Sequence, residues 1–192
     1  MKIKRPFFAT VVNLINNFMQ YYHKIGLQYN KQQLLDIADK YMHLAKDGFT
    51  DNKGNYFPYK KEHNISSVYF KDIPEDFKSL NIFSDLSIIL KRKIDDLYEF
   101  AQYFKIEGSL SPHTDKRTAA FIIPLRGVDT PVVWYDDNDN ILDTYLYEGP
   151  TLIDTSTKHG VLDNLNERLH FQIGGFKDPF SDIIEDISHK KK

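Results

Sequence analysis

The sequence predicts a mainly β protein: a small antiparallel sandwich or jelly-roll barrel with helices packed outside it. Three observations carry that reading. Apolar residues make up 41% of the 192 residues and aromatics 14%, enough for one substantial core. Near residue 100 the chain changes from helical spacing to short β-branched and aromatic runs. Those runs follow one another too closely for crossover helices, so neighbouring strands must be largely antiparallel.

In chain order, residues 9–23 and 31–46 carry apolar positions at helical spacing. In the second segment Leu34, Leu35, Ile37, Ala38, Tyr41, Met42 and Ala45 form one stripe, with Asn30 as N-cap and Gly48 as stop signal. Residues 49–64 have no period and read as a loop, and 66–71 as a short strand. The spacing of Leu86, Ile89, Leu90, Ile94, Leu97 and Ala101 predicts the longest helix over 84–102, capped by Ser84 or Asp85. Eight strands are then expected near 103–107, 110–115, 118–125, 131–136, 141–147, 151–154, 159–162 and 168–174. Asp136–Asn140, Gly127 and Gly149-Pro150 mark turns between them. Phe180 to Lys192 reads as a short helix and a basic tail. This organisation is one domain over 1–192: a helical support region over 1–100, a β core over 101–176 and a tail over 177–192. The amphipathic helices of 1–100 need the sheet as partner and carry no candidate site.

Cysteine is absent, which excludes disulfides, thiolate zinc sites, iron–sulfur clusters and cysteine nucleophiles and fits a reducing compartment. A formal net charge of −2 gives no global case for binding nucleic acid or an anionic membrane. No apolar run approaches the roughly 20 residues of a membrane span. The basic start and the run Pro6 to Val12 imitate a signal peptide, but Asn13, Asn16 and Asn17 break it. A mature, cytoplasmic chain is the expectation. There is no Gly-rich phosphate loop, G-x-S-x-G or H-E-x-x-H.

Without cysteine, any metal must be held by His, Asp or Glu. His113-Thr114-Asp115 places a histidine and a carboxylate on one face of a strand, roughly 7 Å apart at the backbone. A second histidine from another strand would complete a 2-His-1-carboxylate triad, the set that leaves open positions on Fe(II). His159 is the best candidate for that third ligand. The tripeptide alone is common; the order gives it weight. His-x-Asp opens the strand series, His159 follows on a later strand, and Arg168 stands nine residues beyond on the last one. In Arg168-Leu-His-Phe-Gln-Ile173, Leu169, Phe171 and Ile173 form an apolar face, and Arg168, His170 and Gln172 a polar one. On an edge strand that polar face is merely solvated; on an inner strand it lines a cavity. A guanidinium there suits a dianionic ligand, because it pairs bidentately with a carboxylate. Arg117 and Trp134 are candidate pocket residues with no assigned role; the plainer readings, a surface charge and a core residue, are preferred.

Pro112-His-Thr-Asp115, Lys158-His-Gly-Val161 and Arg168-Leu-His-Phe-Gln-Ile-Gly174 together resemble the Fe(II)/2-oxoglutarate-dependent dioxygenases, in particular the prolyl-4-hydroxylase-like branch. Ala119 to Leu125 and Thr130 to Tyr135 resemble the family's central strands, and the likeness covers about residues 97–176. The resemblance implies a double-stranded β-helix (jelly-roll) barrel braced by the N-terminal helices. It implies Fe(II) held by His113, Asp115 and His159. It implies 2-oxoglutarate as cosubstrate, anchored by Arg168 through the distal carboxylate. Tyr103, ten residues before His113, falls where some members place a tyrosine on the same cosubstrate; packing at a helix–strand junction is the alternative. The implied reaction consumes O₂, converts 2-oxoglutarate to succinate and CO₂, and hydroxylates a C–H bond. A prolyl or other protein residue is the implied substrate class, with small molecules as the alternative. Two rival readings remain: a cupin-like metal-binding barrel without 2-oxoglutarate chemistry, and a non-enzymatic barrel.

Overall fold

The computed structural model describes residues 20–50, 55–61, 64–72, 80–162 and 166–188. The chain opens with strand β1 (Tyr22–Lys24), helix α1 (Lys31–Tyr41), a hairpin of β2 (Gly48–Thr50) and β3 (Tyr56–Pro58), and strand β4 (Ile65–Tyr69). Helices α2 (Ile82–Ile89) and α3 (Ile94–Phe100) follow. Then come β5 (Ala101–Ile106), β6 (Leu110–His113), β7 (Ala119–Arg126), β8 (Val132–Tyr135), β9 (Ile141–Tyr145), β10 (Thr151–Asp154), β11 (His159–Val161) and β12 (Arg168–Ile173). Helix α4 (Phe180–Ser188) closes the described chain.

Two antiparallel sheets make the frame. The larger has the order β1-β10-β7-β12-β5-β4, the smaller β6-β11-β8-β9. Strand alternation assigns the faces of the larger sheet. Leu169, Phe171 and Ile173 of β12, with Tyr103, Phe121 and Leu152 beside them, pack on the helices. The helices answer with Leu34 and Ala38 of α1, Phe83 and Leu86 of α2, Leu97 of α3 and Ile183 of α4. Asn30 caps α1 as expected, its side chain accepting from the Gln33 N–H at 3.1 Å. The opposite face turns toward the smaller sheet. Ala120, Ile122 and Ile153 meet Val132, Trp134 and Tyr145 in one cluster. Ile65, Phe104 and Ile106 meet Leu110 and Val161 in another. The space between these clusters holds the polar residues of interest.

Several expectations need correction. The helical pattern of 9–23 ends in an extended segment: Tyr22–Lys24 pairs with Thr151–Ile153, and residues 9–19 lie outside the described part. The segment 49–64 is no plain loop, since β2 and β3 pair within it and Gly48 opens a strand instead of stopping a helix. The single helix over 84–102 is two helices. Lys91 takes a positive φ of 51° between them, and Ser87 Oγ donates to the Arg92 carbonyl across the break. The first of the two starts earlier than expected, at Ile82 after Asn81. The region before residue 100 is therefore more than helical support, because β1 and β4 supply both edges of the larger sheet. Among the described residues, no helix is long and apolar enough to cross a membrane.

Candidate metal centre

His113 ends β6 and His159 begins β11, and the two are register partners. Three residues of β11 (His159 to Val161) face four of β6 (Leu110 to His113), so the ladder bulges around Ser111 and Pro112. Proline tolerates this position because no ladder bond is asked of its missing N–H. Gly160 makes the close approach possible, since a Cβ there would lie 2.5 Å from the Leu110 carbonyl oxygen. The imidazole centroids stand 4.5 Å apart. The strand expected over 110–115 ends at His113, and Asp115 lies in the connection beyond it, its N–H donating to the Thr155 carbonyl at 2.9 Å. One ligand atom from each of His113, Asp115 and His159 lies within 4.8 Å of the other two.

The protonation states suit a cation. His113 Nδ1 lies 2.9 Å from the Ser111 carbonyl and His159 Nδ1 2.9 Å from the Thr157 carbonyl. A carbonyl only accepts, so each Nδ1 carries a proton, and Nε2 is the atom that a neutral ring offers to a metal. Burial, reinforced by His113, pushes His159 down to about 4, so its ring is neutral at physiological pH. Burial pushes the Asp115 carboxyl up, but the Arg117 guanidinium, with His159 and His113, outweighs it and holds the group below the usual carboxylate range. Two imidazoles and one carboxylate are the donor set of a divalent metal with nitrogen and oxygen preferences.

No family model matches the sequence, and no curated protein does. Solved structures do match in fold. A prolyl hydroxylase of Trichoplax adhaerens, in complex with a peptide of the hypoxia inducible factor oxygen degradation domain, superposes with a TM-score of 0.54 at 10% identity, covering 96% of this chain and 92% of its own. The chain has the prolyl-hydroxylase fold. A Neurospora crassa protein, solved at full length in complex with alpha-KG and 5-formyluracil, superposes equally well, with a TM-score of 0.54 at 12% identity over 88% of this chain and 78% of its own.

On this prolyl-hydroxylase fold β12 is an inner strand, so the face carrying Arg168, His170 and Gln172 is buried rather than solvated. Arg168 is 1% exposed. It donates to the Thr130 carbonyl and lies over the Tyr147 ring, 5.4 Å from its centroid. Its Nε has no partner among the described residues. Gln102 Oε1 and His170 Nδ1, on the same inner face, are equally unpartnered there. Three orphaned polar atoms in one interior are what a polar ligand would satisfy.

Tyr103 does not belong to this group, and its expected contact with the cosubstrate is withdrawn. Its side chain points to the helical face among Phe70, Phe83 and Phe171, and its hydroxyl donates to the Leu34 carbonyl at 2.9 Å. The residues of β5 that face the interior are Gln102 and Phe104. Arg117 is the opposite case. Read as a surface charge, it donates from Nε to Asp115 Oδ2 at 2.7 Å. No strand periodicity could have placed it, because residues 114–118 form the connection between β6 and β7. Trp134 is core, as expected, and fully buried. It is also the register partner of His159, and its indole donates to the Asp154 carbonyl at 2.9 Å.

Proposed function

We propose that this chain is an Fe(II)- and 2-oxoglutarate-dependent dioxygenase whose two facing sheets form a double-stranded β-helix. The convergence of His113, Asp115 and His159, with both Nδ1 atoms tied to carbonyls, carries the reading. His113 and His159 would hold the metal through Nε2, and Asp115 through one carboxylate oxygen. Arg168 would take the distal carboxylate of 2-oxoglutarate, a buried cation with an unspent N–H meeting the complementary anion. When bound, the iron and cosubstrate supply O₂-dependent decarboxylation to succinate and CO₂, with the second oxygen atom delivered to a C–H bond of the substrate. The chain's own part is to keep the His159 ring neutral and the Asp115 carboxylate ionised, with both imidazoles oriented by their Nδ1 contacts. The substrate class we propose is a residue in a protein, with proline foremost.

The test is Fe(II)-dependent formation of succinate from 2-oxoglutarate, first without a second substrate, then with proline-containing peptides and with pyrimidine bases. Succinate that requires iron, and that peptides stimulate, is the expected result. Stimulation by a base alone would replace the substrate class. Absence of both Mn(II) binding and succinate would end the dioxygenase reading.

A further inference from the structure

We propose that Arg117 is a positioning residue that fixes the orientation of Asp115 and is itself held in place by Gln172. The inference rests on the metal-site reading above. The two oxygens of Asp115 are used differently. Oδ1 lies 3.7 Å from His113 Nε2, on the side where the histidines converge. Oδ2 accepts from Arg117 Nε at 2.7 Å, on the far side. A carboxylate held this way offers one oxygen to a metal and cannot swing the second one in without breaking a charge-assisted bond.

The other end of the guanidinium is anchored as well. With its amide oxygen toward the donors, Gln172 accepts from Arg117 Nη1 at 2.6 Å and Nη2 at 2.9 Å, and from Gln102 Nε2 at 3.2 Å. Its amide nitrogen then donates to His170 Nε2 at 3.2 Å. Gln172 is 3% exposed on a central strand, so the anchor is rigid. The backbone of Arg117 is fixed too, its carbonyl accepting from Thr155 Oγ1 at 3.0 Å. Room for the guanidinium exists because residue 174 is glycine, where a Cβ would lie 2.7 Å from Arg117 Nη1. All three guanidinium nitrogens are thus committed between a carboxylate in the candidate centre and an amide in the core. A freely solvated arginine at a barrel mouth makes no such pair of contacts.

Charge and position must be separated in the test, because a cation beside a divalent metal opposes binding by Coulomb's law. Arg117→Lys keeps the charge but cannot bridge Asp115 and Gln172 at once. Gln172→Leu leaves both charges and removes the anchor. The full-length protein is titrated anaerobically with Mn(II), and the Co(II)-loaded form is examined by its visible absorption. Each variant should bind Mn(II) about 10- to 100-fold more weakly than the parent, the usual cost of losing an outer partner of a metal ligand. Each should also change the Co(II) bands, which a general loss of stability would leave alone. The double variant should bind no more than about threefold more weakly than the worse single, because both act through one chain of contacts. Thermal unfolding of the metal-free forms shows which variants fold; Arg117→Lys, at a partly exposed position, decides if Gln172→Leu does not. Parent-like affinity and Co(II) bands in Arg117→Lys would overturn the positioning role while leaving the metal site standing. A parent that binds no Mn(II) would overturn both.

Discussion

His113 and His159 are register partners on adjacent antiparallel strands, and each turns its Nδ1 to the carbonyl two residues before it in the chain. The separation of the two Nε2 atoms is therefore set by a backbone ladder rather than by loop conformation. A small error in that ladder displaces a donor directly.

Gly160 is the point where such an error can be introduced. Gly160→Ala puts a methyl group 2.5 Å from the Leu110 carbonyl oxygen, and backbone must move to relieve it. We expect a loss of about 1–3 kcal/mol, as for overpacking elsewhere, together with weaker Mn(II) binding. Denaturant midpoints and a Mn(II) titration measure the two effects. A variant as stable and as tight as the parent would show that β6 and β11 tolerate separation.

Asp154 acts one step further out. Its Oδ1 accepts from the Ser156 N–H at 2.8 Å and the Ser156 hydroxyl at 2.6 Å, and its Oδ2 from the Thr157 hydroxyl at 2.6 Å. That turn presents the Thr157 carbonyl to His159. Asp154→Ala should cost roughly 1–3 kcal/mol of stability, because it removes charge-assisted hydrogen bonds that hold a partly exposed turn. It should also weaken metal binding by about tenfold, since His159 loses its fixed ring orientation. Asp154→Asn keeps two acceptor positions near the turn and should retain more of both. Equal metal affinity in all three proteins would remove this link.

His170 gives the metal-free protein an acid sensitivity. Burial, with Arg168 nearby, pushes it down to about 3 in the folded chain, against an ordinary value near 6.5 when unfolded. Between those limits the unfolded chain binds a proton that the folded chain refuses. Stability therefore falls as pH drops from about 6.5 toward 3, by an amount on the order of a few kcal/mol. His170→Gln should flatten this slope. Melting temperatures of both proteins across that range decide it, and parallel curves would contradict the assignment.

Arg168→Ala should weaken 2-oxoglutarate binding to the Mn(II)-loaded protein by roughly 30- to 1000-fold, the equivalent of about 2–4 kcal/mol for a truncated buried charge pair. Metal binding itself should survive. Arg168→Lys should recover only part of the affinity, because a point charge does not reproduce the planar fork. Calorimetry on anaerobic samples reads both numbers. Unchanged affinity in the alanine variant would detach the cosubstrate from this residue.

How far the sequence could be read depended on whether one face of an element differs from the other. Every strand expected after residue 100 is present, because turn residues separate them and β12 alternates cleanly. The error at Tyr103 has the same origin. Ala101 to Phe104 are buried on both faces, so no alternation reveals which side Tyr103 takes. The break at Lys91 was hidden because Leu86, Leu90, Ile94 and Leu97 keep a near-helical interval across it. Strand β1 is three residues long on a sheet edge, where pairing to β10 outweighs local preference. Within the candidate site the triad was legible from the order of its members along the strand series, since His-x-Asp by itself is common. Arg117 could be named as a possible pocket residue but given no role, because nothing local separates an inward arginine from a solvated one.

The strand made last sits in the middle. β12 lies between β7 and β5, and among the described residues no other pairing joins the β1-β10-β7 half of the larger sheet to the β5-β4 half. During synthesis, the halves wait with two bare strand edges facing each other until residue 173 has emerged. Such edges recruit other chains, and contacts of such long sequence separation form slowly. A nascent chain stalled before Arg168 is thus a template for aggregation, whereas one released after Ile173 can close its own sheet.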